Sequence, residues 1–270
     1  MTKSNLDAQS SRSRPGLLLT LDSEWAKFRS LRSTRIIVLV AICLTIGITL
    51  LFCLLGGTGL SDAQTKGKYN VIFFSSFFGT AAMATLGAHF VSVEYSRGMI
   101  AATLTATPVR SKVLAAKLLI LCGVALVLGT AISFVNFFMS QAIMAASGIQ
   151  ALRISDEGML RAVSVFIGLS AMTYALMSAS MAVFTRNAGG AVVLSFLMSI
   201  IPVVMAPLLG RWWGDRVPRF VPGAVVESLA GVAEPGSAGY LPTPIAALVL
   251  FLWLAVFTSA AFVGFGRRDT

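Results

Sequence analysis

Six long apolar stretches without interior charge dominate this sequence. A stretch of about 20 apolar residues forms a helix that can cross roughly 30 Å of hydrocarbon, and such a helix satisfies its own backbone hydrogen bonds in lipid. The sequence therefore predicts an all-α membrane protein with six transmembrane helices. The predicted spans are 36–55, 71–93, 113–145, 162–185, 188–209 and 245–265.

Composition agrees with this class. Of the 270 residues, 56% are hydrophobic and 12% are charged, whereas soluble domains carry about 25% charged residues. We interpret residues 35–270 as a single six-span domain, which leaves no room for a separate soluble enzyme. The third stretch is long enough to reach about 50 Å, so we expect it to tilt or to project beyond the lipid.

The net charge of +10 is explained better by membrane orientation than by nucleic-acid binding. With the amino terminus inside, fourteen of the 21 lysines and arginines fall in cytoplasmic segments and seven fall outside. This bias favours cytoplasmic amino and carboxyl termini in a multi-pass protein of the cell membrane, with no nucleic-acid partner. The basic outer segment 211–219 is the exception.

Residues 16–34 are predicted to form an amphipathic interfacial helix, after a Ser- and Arg-rich tail, 1–15, that we expect to be disordered. Apolar side chains recur on one face at spacings of three and four: Leu17, Leu21, Trp25, Phe28 and Leu31. The other face carries Lys27, Arg29 and Arg32. Asp22 and Glu24 lie near the start, where the helix dipole favours anions. Such a helix lies in the cytoplasmic interface with its cations on anionic headgroups; a mere anchor is the alternative.

The segment before the last span is rich in proline and tryptophan. Residues 223–233 are mostly apolar but too short to span, so we expect a short re-entrant or interfacial helix there. A plain outer loop is the alternative.

The spans contain no interior Asp, Glu, Lys or Arg that would indicate an ion pathway. The lone histidine, His89, is more typical of a hydrogen-bonded structural residue than of a proton relay. We find no catalytic set, no metal-ligand spacing and no phosphate-binding loop. The sequence therefore predicts a non-catalytic chain that binds no cofactor of its own.

Small residues recur at helix-packing spacing in the fourth span, at Gly168, Ala171, Ala175 and Ala179. This pattern favours close helix contact in lipid. It fits packing within the fold and packing between protomers equally well.

The second cytoplasmic segment, 94–112, has its own local pattern. Residues 99–106 can form two helical turns, between a bend at Gly98 and the restriction imposed by Pro108. Glu94 and Arg97 are close enough to pair, and Lys112 and Lys117 restart the third span at the headgroups. An ordinary cytoplasmic turn is the alternative.

This segment resembles the coupling loop of ABC-2-type permeases, the membrane subunits of a class of ABC exporters. The matching positions are Glu94, Tyr95, Gly98, Ile100, Thr103, Leu104, Thr107, Pro108, Arg110 and Lys117. Residues 24–33 also resemble the opening amphipathic helix of actinobacterial members. Two positions depart from the family pattern, because Met99 stands where Thr is frequent and Ala101 where Arg is frequent.

The resemblance implies a permease that works with a second, identical or related permease and with separate ATPase subunits that bind ATP and magnesium. The residues implied to contact the ATPase are Glu94, Tyr95, Arg97, Gly98, Ile100, Thr103, Leu104 and Pro108. The apolar spans favour a hydrophobic or amphiphilic cargo over an ion. The alternatives are a stand-alone secondary carrier and an immunity or sensor subunit that binds an antimicrobial peptide or lipid.

Overall fold

The computed structural model describes residues 17–55, 75–96, 110–148 and 150–267, and within these ranges the chain is helical and has no strand. Six of its helices are long and apolar enough to cross a membrane, which confirms the predicted all-α membrane class. The helices are α1 (Leu17–Ser30), α2 (Arg32–Leu55), α3 (Ser76–Ser96), α4 (Arg110–Ala146), α5 (Met159–Thr185), α6 (Ala188–Leu208), α7 (Arg211–Gly214), α8 (Pro222–Ala230) and α9 (Thr243–Arg267).

The spanning helices are α2 to α6 and α9, and their described ends lie close to the predicted boundaries. The largest differences are at the starts of α2 and α3, which begin at Arg32 rather than at 36 and at Ser76 rather than at 71. The third span is a single helix of 37 residues, about 55 Å long. The tail 1–15 and the first residues of the second predicted span, 71–74, lie outside the described residues.

Helix α5 occupies the centre of the bundle. It packs against α3, α4, α6, α8 and α9, and 78% of its most apolar membrane-spanning part is buried, compared with 22% for α2, α6 and α9. The outer helices expose leucines, valines and phenylalanines such as Leu39, Leu197 and Phe251. An apolar exterior around a packed centre is the arrangement that a bilayer permits.

The small-residue stripe of α5 serves packing within the chain. Gly168 lies against Leu126 and Thr130 of α4, and a Cβ at Gly129 would clash with Gly168. On the other side Gly87 of α3 touches the Ala175 backbone so closely that no Cβ fits. Of the two predicted roles of this stripe, packing within the fold is therefore the one observed at these positions.

The structure tests the predictions for the amphipathic helix and for the short helix before the last span. The predicted amphipathic helix 16–34 is interrupted, since α1 ends at Ser30 and α2 begins at Arg32. The predicted short helix is α8, which starts at Pro222 and ends at Ala230, and the next residue, Gly231, has a left-handed conformation with φ 76°. Whether α8 is re-entrant or interfacial stays a prediction.

Candidate functional site

Helix α1 is attached to the bundle through a buried ion pair. Glu24 and Lys117 are 1% and 3% exposed, and Lys117 Nζ lies 2.8 Å from Glu24 Oε2. Lys27 Nζ donates to Glu24 Oε1 at 2.5 Å from one turn further along α1. One carboxylate therefore holds two ammonium groups, one on its own helix and one on α4.

The protonation equilibrium of Glu24 reflects this arrangement. Burial disfavours the carboxylate, but the attraction and hydrogen bonds of Lys117 and Lys27 outweigh burial, so the pKa of Glu24 lies below its ordinary value of 4.5. The carboxylate is thus ionised at neutral pH, as the pairing requires.

Phe90, near the end of α3, completes the attachment. Its ring makes an edge-to-face contact with Phe28, with centroids 5.2 Å apart, and Lys117 Nζ lies 3.9 Å from its centroid. Lys117 also donates to the Phe90 carbonyl oxygen at 3.4 Å. Because Phe90 contacts Phe28 of α1 and Lys117 of α4, the helices α1, α3 and α4 meet at one point. We call this point the α1 junction (Glu24, Phe28, Phe90 and Lys117).

Some of the predicted interfacial residues face the α1 junction, and others lie on the exposed surface of the protein. Phe28 is buried, Leu21, Lys27 and Leu31 are half-buried, and Trp25, Arg29 and Arg32 are exposed. The side of α1 that faces the bundle is thus formed by Thr20, Glu24 and Phe28 and carries a charge at its centre. Lys117, which we expected at the headgroups, is covered by protein.

His89 agrees with the structural interpretation. Its Nε2 lies 2.8 Å from Ser33 Oγ, which joins the end of α3 to the first turn of α2. His89 precedes Phe90, so this contact ties the start of α2 to α3 next to the α1 junction.

The first of the predicted coupling residues lie in α3, directly after the α1 junction along the chain. Glu94 and Tyr95 lie in the last turn of α3, one turn beyond Phe90. Arg97, Gly98, Ile100, Thr103, Leu104 and Pro108 lie outside the described residues. Since α3 ends at Ser96 and α4 begins at Arg110, the segment 97–109 is bounded on both sides by helices that hold α1.

A cavity of about 810 Å³ lies at the opposite end of the bundle, between α3, α5, α6 and α8. The aromatic residues of its wall are Phe77, Phe166, Tyr174 and Phe196. The Tyr174 and Phe196 rings are stacked with centroids 4.9 Å apart, and Phe77 lies 5.7 Å from Phe196. Hydroxyl groups complete the lining, at Ser76, Thr80, Ser170 and Ser199. Aromatic surface with a few polar groups is typical of a small-molecule site.

Glu227 of α8 is the charged residue of the cavity lining. The side chain is exposed toward the cavity, yet the protein around it makes ionisation unfavourable and raises the pKa of Glu227. A lone carboxylate within the apolar stretch 223–233 was a signal for this position that our sequence reasoning did not use. No such signal pointed to the junction of Glu24 with Lys117.

Helix α8 is held over the cavity by contacts to α5 and α9. Arg161 Nε donates to the Leu229 carbonyl oxygen at 2.8 Å, and Arg161 Nη2 donates to Thr243 Oγ1 at 3.2 Å. Trp253 Nε1 donates to the Phe220 carbonyl oxygen at 2.8 Å. These bonds fix residues 220–230, which cover the cavity and which we call its roof, to the spanning helices α5 and α9.

Comparison with known proteins identifies one family. The family model described as ABC-2 family transporter protein matches residues 20–205. The match begins inside α1 and includes the α1 junction, the predicted coupling segment and five of the six spanning helices. No curated protein matches the chain.

Proposed function

The chain belongs to the ABC-2 transporter family, and we propose that it is the permease subunit of an ABC exporter for a hydrophobic or amphiphilic compound. Membership makes it a multi-pass membrane component of an ABC transporter. Its cargo would belong to the class of drugs, antibiotics, peptides or lipids. The chain binds no cofactor in this proposal, and ATP with magnesium binds to a separate ATPase subunit.

The cavity of about 810 Å³ is the observation that supports this cargo class. Its stacked rings offer apolar surface, and its hydroxyl groups offer hydrogen bonds to a polar end of the cargo. An ion would need a ring of charges or carbonyl oxygens, and Glu227 is the one charged residue among those that line the cavity.

ATP-driven motion enters, in this proposal, through the segment 97–109 at the other end of the bundle. That segment contacts the ATPase, and the α1 junction transmits its movement, because Glu24 and Phe28 tie α1 to the ends of α3 and α4. Helix α3 then runs from the coupling segment to the cavity, where Ser76 and Phe77 lie in its first turn.

A second permease copy, identical or related, would lie against one of the outer helices. The exposed apolar faces of α2, α6 and α9 are available for lipid or for such a partner. A pair of chains enclosing a central pathway fits the two-subunit arrangement that the family resemblance implies.

Inside-out vesicles that contain the chain together with a partner ABC ATPase subunit provide the test. We expect ATP-dependent accumulation of a fluorescent amphiphile, and we expect Phe196→Ala to weaken it because that ring forms the cavity wall. Phe251→Ala is the matched control, since Phe251 is 66% exposed on α9. Glu94→Ala combined with Gly98→Trp should abolish the ATP dependence.

Three outcomes would contradict the proposal. Transport and complex formation that survive Glu94→Ala with Gly98→Trp would reject the coupling assignment. Accumulation without ATP or ATPase would favour a stand-alone carrier. Ligand binding without any accumulation would favour an immunity or sensor subunit.

A further inference from the structure

A second cavity lies on the outside of the α1 junction, between α1, α2 and α4. It has a volume of about 870 Å³, and we call it the α1 groove. Its walls are largely apolar, with Val38 and Ile42 on α2 and Val124 and Leu128 on α4. None of the residues assigned to transport in the cavity near α8 contributes to it.

Two arginines line one end of the α1 groove. Arg29 is in the last turn of α1 and Arg35 is in the first turn of α2, and both side chains are exposed. Among the described residues no carboxylate lies within ion-pair distance of either guanidinium. Glu24, the buried acid of α1, is already paired with Lys27 and Lys117. Two guanidinium groups at one opening favour a phosphate, which they can bind with paired N–H donors.

A buried hydroxyl group lies between these arginines in the sequence. Thr34 also lines the groove and is 1% exposed, and its Oγ1 has no hydrogen-bond partner among the described residues. Buried hydroxyl groups are normally paired. Thr34 thus leaves an unsatisfied hydroxyl group in the wall beside the two arginines.

The length of the groove corresponds to one leaflet. Its α4 wall extends from Leu119 to Leu128, a rise of about 14 Å at 1.5 Å per residue. Half of a hydrocarbon core of roughly 30 Å is about 15 Å. Gly123 leaves a gap in this wall, because a Cβ built there meets no atom within 4 Å. An acyl chain therefore has an apolar path of suitable length that starts at a cationic end.

We propose that the α1 groove binds one anionic phospholipid, with its phosphate at Arg29 and Arg35 and one acyl chain along α2 and α4. A second copy of the chain suits the groove less well, since a symmetric contact would bring four arginines together. Bound lipid would bridge α1 to α2 and α4, and so would reinforce the α1 junction from its lipid side. The proposal differs from general adsorption of an amphipathic helix, because it predicts a stoichiometry of one lipid per chain.

Native mass spectrometry of the full-length chain in detergent provides the test, with phosphatidylglycerol and phosphatidylcholine of identical acyl chains as probes. We expect one retained phosphatidylglycerol per chain and at least about tenfold weaker retention of phosphatidylcholine. Arg29→Gln with Arg35→Gln should weaken phosphatidylglycerol binding about ten- to hundredfold, the range for lost charged hydrogen bonds. Arg32→Gln with Arg153→Gln is the charge-matched control, because both arginines are exposed outside the groove.

A steric variant tests the acyl path separately. Gly123→Phe should fill the groove and abolish retention, whereas Gly47→Phe should not, since Gly47 also has open space but lies outside the groove. The proposal is overturned if both lipids bind equally well or if the arginine and Gly123 variants retain lipid normally. Glycerol phosphate competing as tightly as the lipid would reduce the groove to a phosphate site. A shift from dimer to monomer with Gly123→Phe at unchanged lipid retention would make it an interface between copies.

Discussion

Glu24 and Lys117 form an ion pair with Nζ 2.8 Å from Oε2, and both side chains are nearly inaccessible. The pair joins the amino-terminal helix to the third spanning helix, next to the start of the segment predicted to contact an ATPase. Helix α1 is therefore a part of the folded bundle and not only an anchor at the membrane surface. This relationship makes the attachment of α1 testable independently of any transport assay.

Removing one partner of the pair should destabilise the protein strongly. Glu24→Gln leaves the Lys117 ammonium buried without its counter-charge, and breaking a buried pair in this way costs about 3–5 kcal/mol. Thermal unfolding of the purified protein in detergent should show a clear decrease in midpoint. Adding Lys117→Met should recover much of the loss, because the unpaired charge is then removed. Asp22→Asn, at an exposed neighbour, should change little; equal midpoints for the single and double variants would contradict the pairing.

The pair also predicts how the attachment of α1 depends on pH. The pKa of Glu24 is lowered in the folded protein from its ordinary value of 4.5. The ion pair therefore stabilises the folded state fully at pH values above 4.5, and this stabilisation is lost as the pH falls through the lowered pKa. We expect hydrogen exchange of residues 17–30, corrected for intrinsic rates, to be independent of pH between about 7 and 5 and to increase below that. Glu24→Gln should remove this dependence. An unchanged acid response in Glu24→Gln would assign it to another group.

The sequence predicted the helices well because each spanning helix is a long apolar stretch. The boundaries at Leu55, Thr185 and Ala188 agree with the structure, since charged or turn-forming residues follow or precede them directly. The short helix α8 was predicted because prolines delimit an apolar stretch too short to span. Local composition carries both kinds of information.

Contacts between distant residues were not predicted. Helical spacing placed Trp25 with Phe28 on one apolar face, yet Trp25 is 43% exposed and Glu24 is buried instead. The reason is Lys117, far along the chain, whose charge makes burial of Glu24 favourable. The cavity depends likewise on Tyr174, Phe196 and Glu227, which come from three different helices. The spacing of residues within one segment does not predict contacts between residues of different helices.

Helix packing predicts a contrast between two glycines. Gly87→Ala should destabilise the protein by about 1–3 kcal/mol, because the added Cβ would collide with the Ala175 carbonyl oxygen and backbone cannot easily move away. Gly123→Ala is the matched control on α4, where the Cβ meets nothing within 4 Å. It should be neutral or stabilising by up to about 1 kcal/mol. Unfolding midpoints of both variants measure the contrast, and similar values would place the α3–α5 contact in doubt.

The roof of the cavity should depend on Arg161. Its guanidinium joins the Leu229 carbonyl oxygen of α8 to Thr243 of α9, a geometry that an amide cannot reproduce because it lacks the guanidinium fork. Arg161→Gln should therefore cost about 1–2 kcal/mol locally and increase hydrogen exchange in residues 222–241, while α3 and α4 stay protected. Arg153→Gln, also at an exposed arginine, should leave exchange unchanged. Increased exchange throughout the bundle would show instead that Arg161 supports the whole fold, since loss of the α8 contacts alone leaves the centre of the bundle packed around α5.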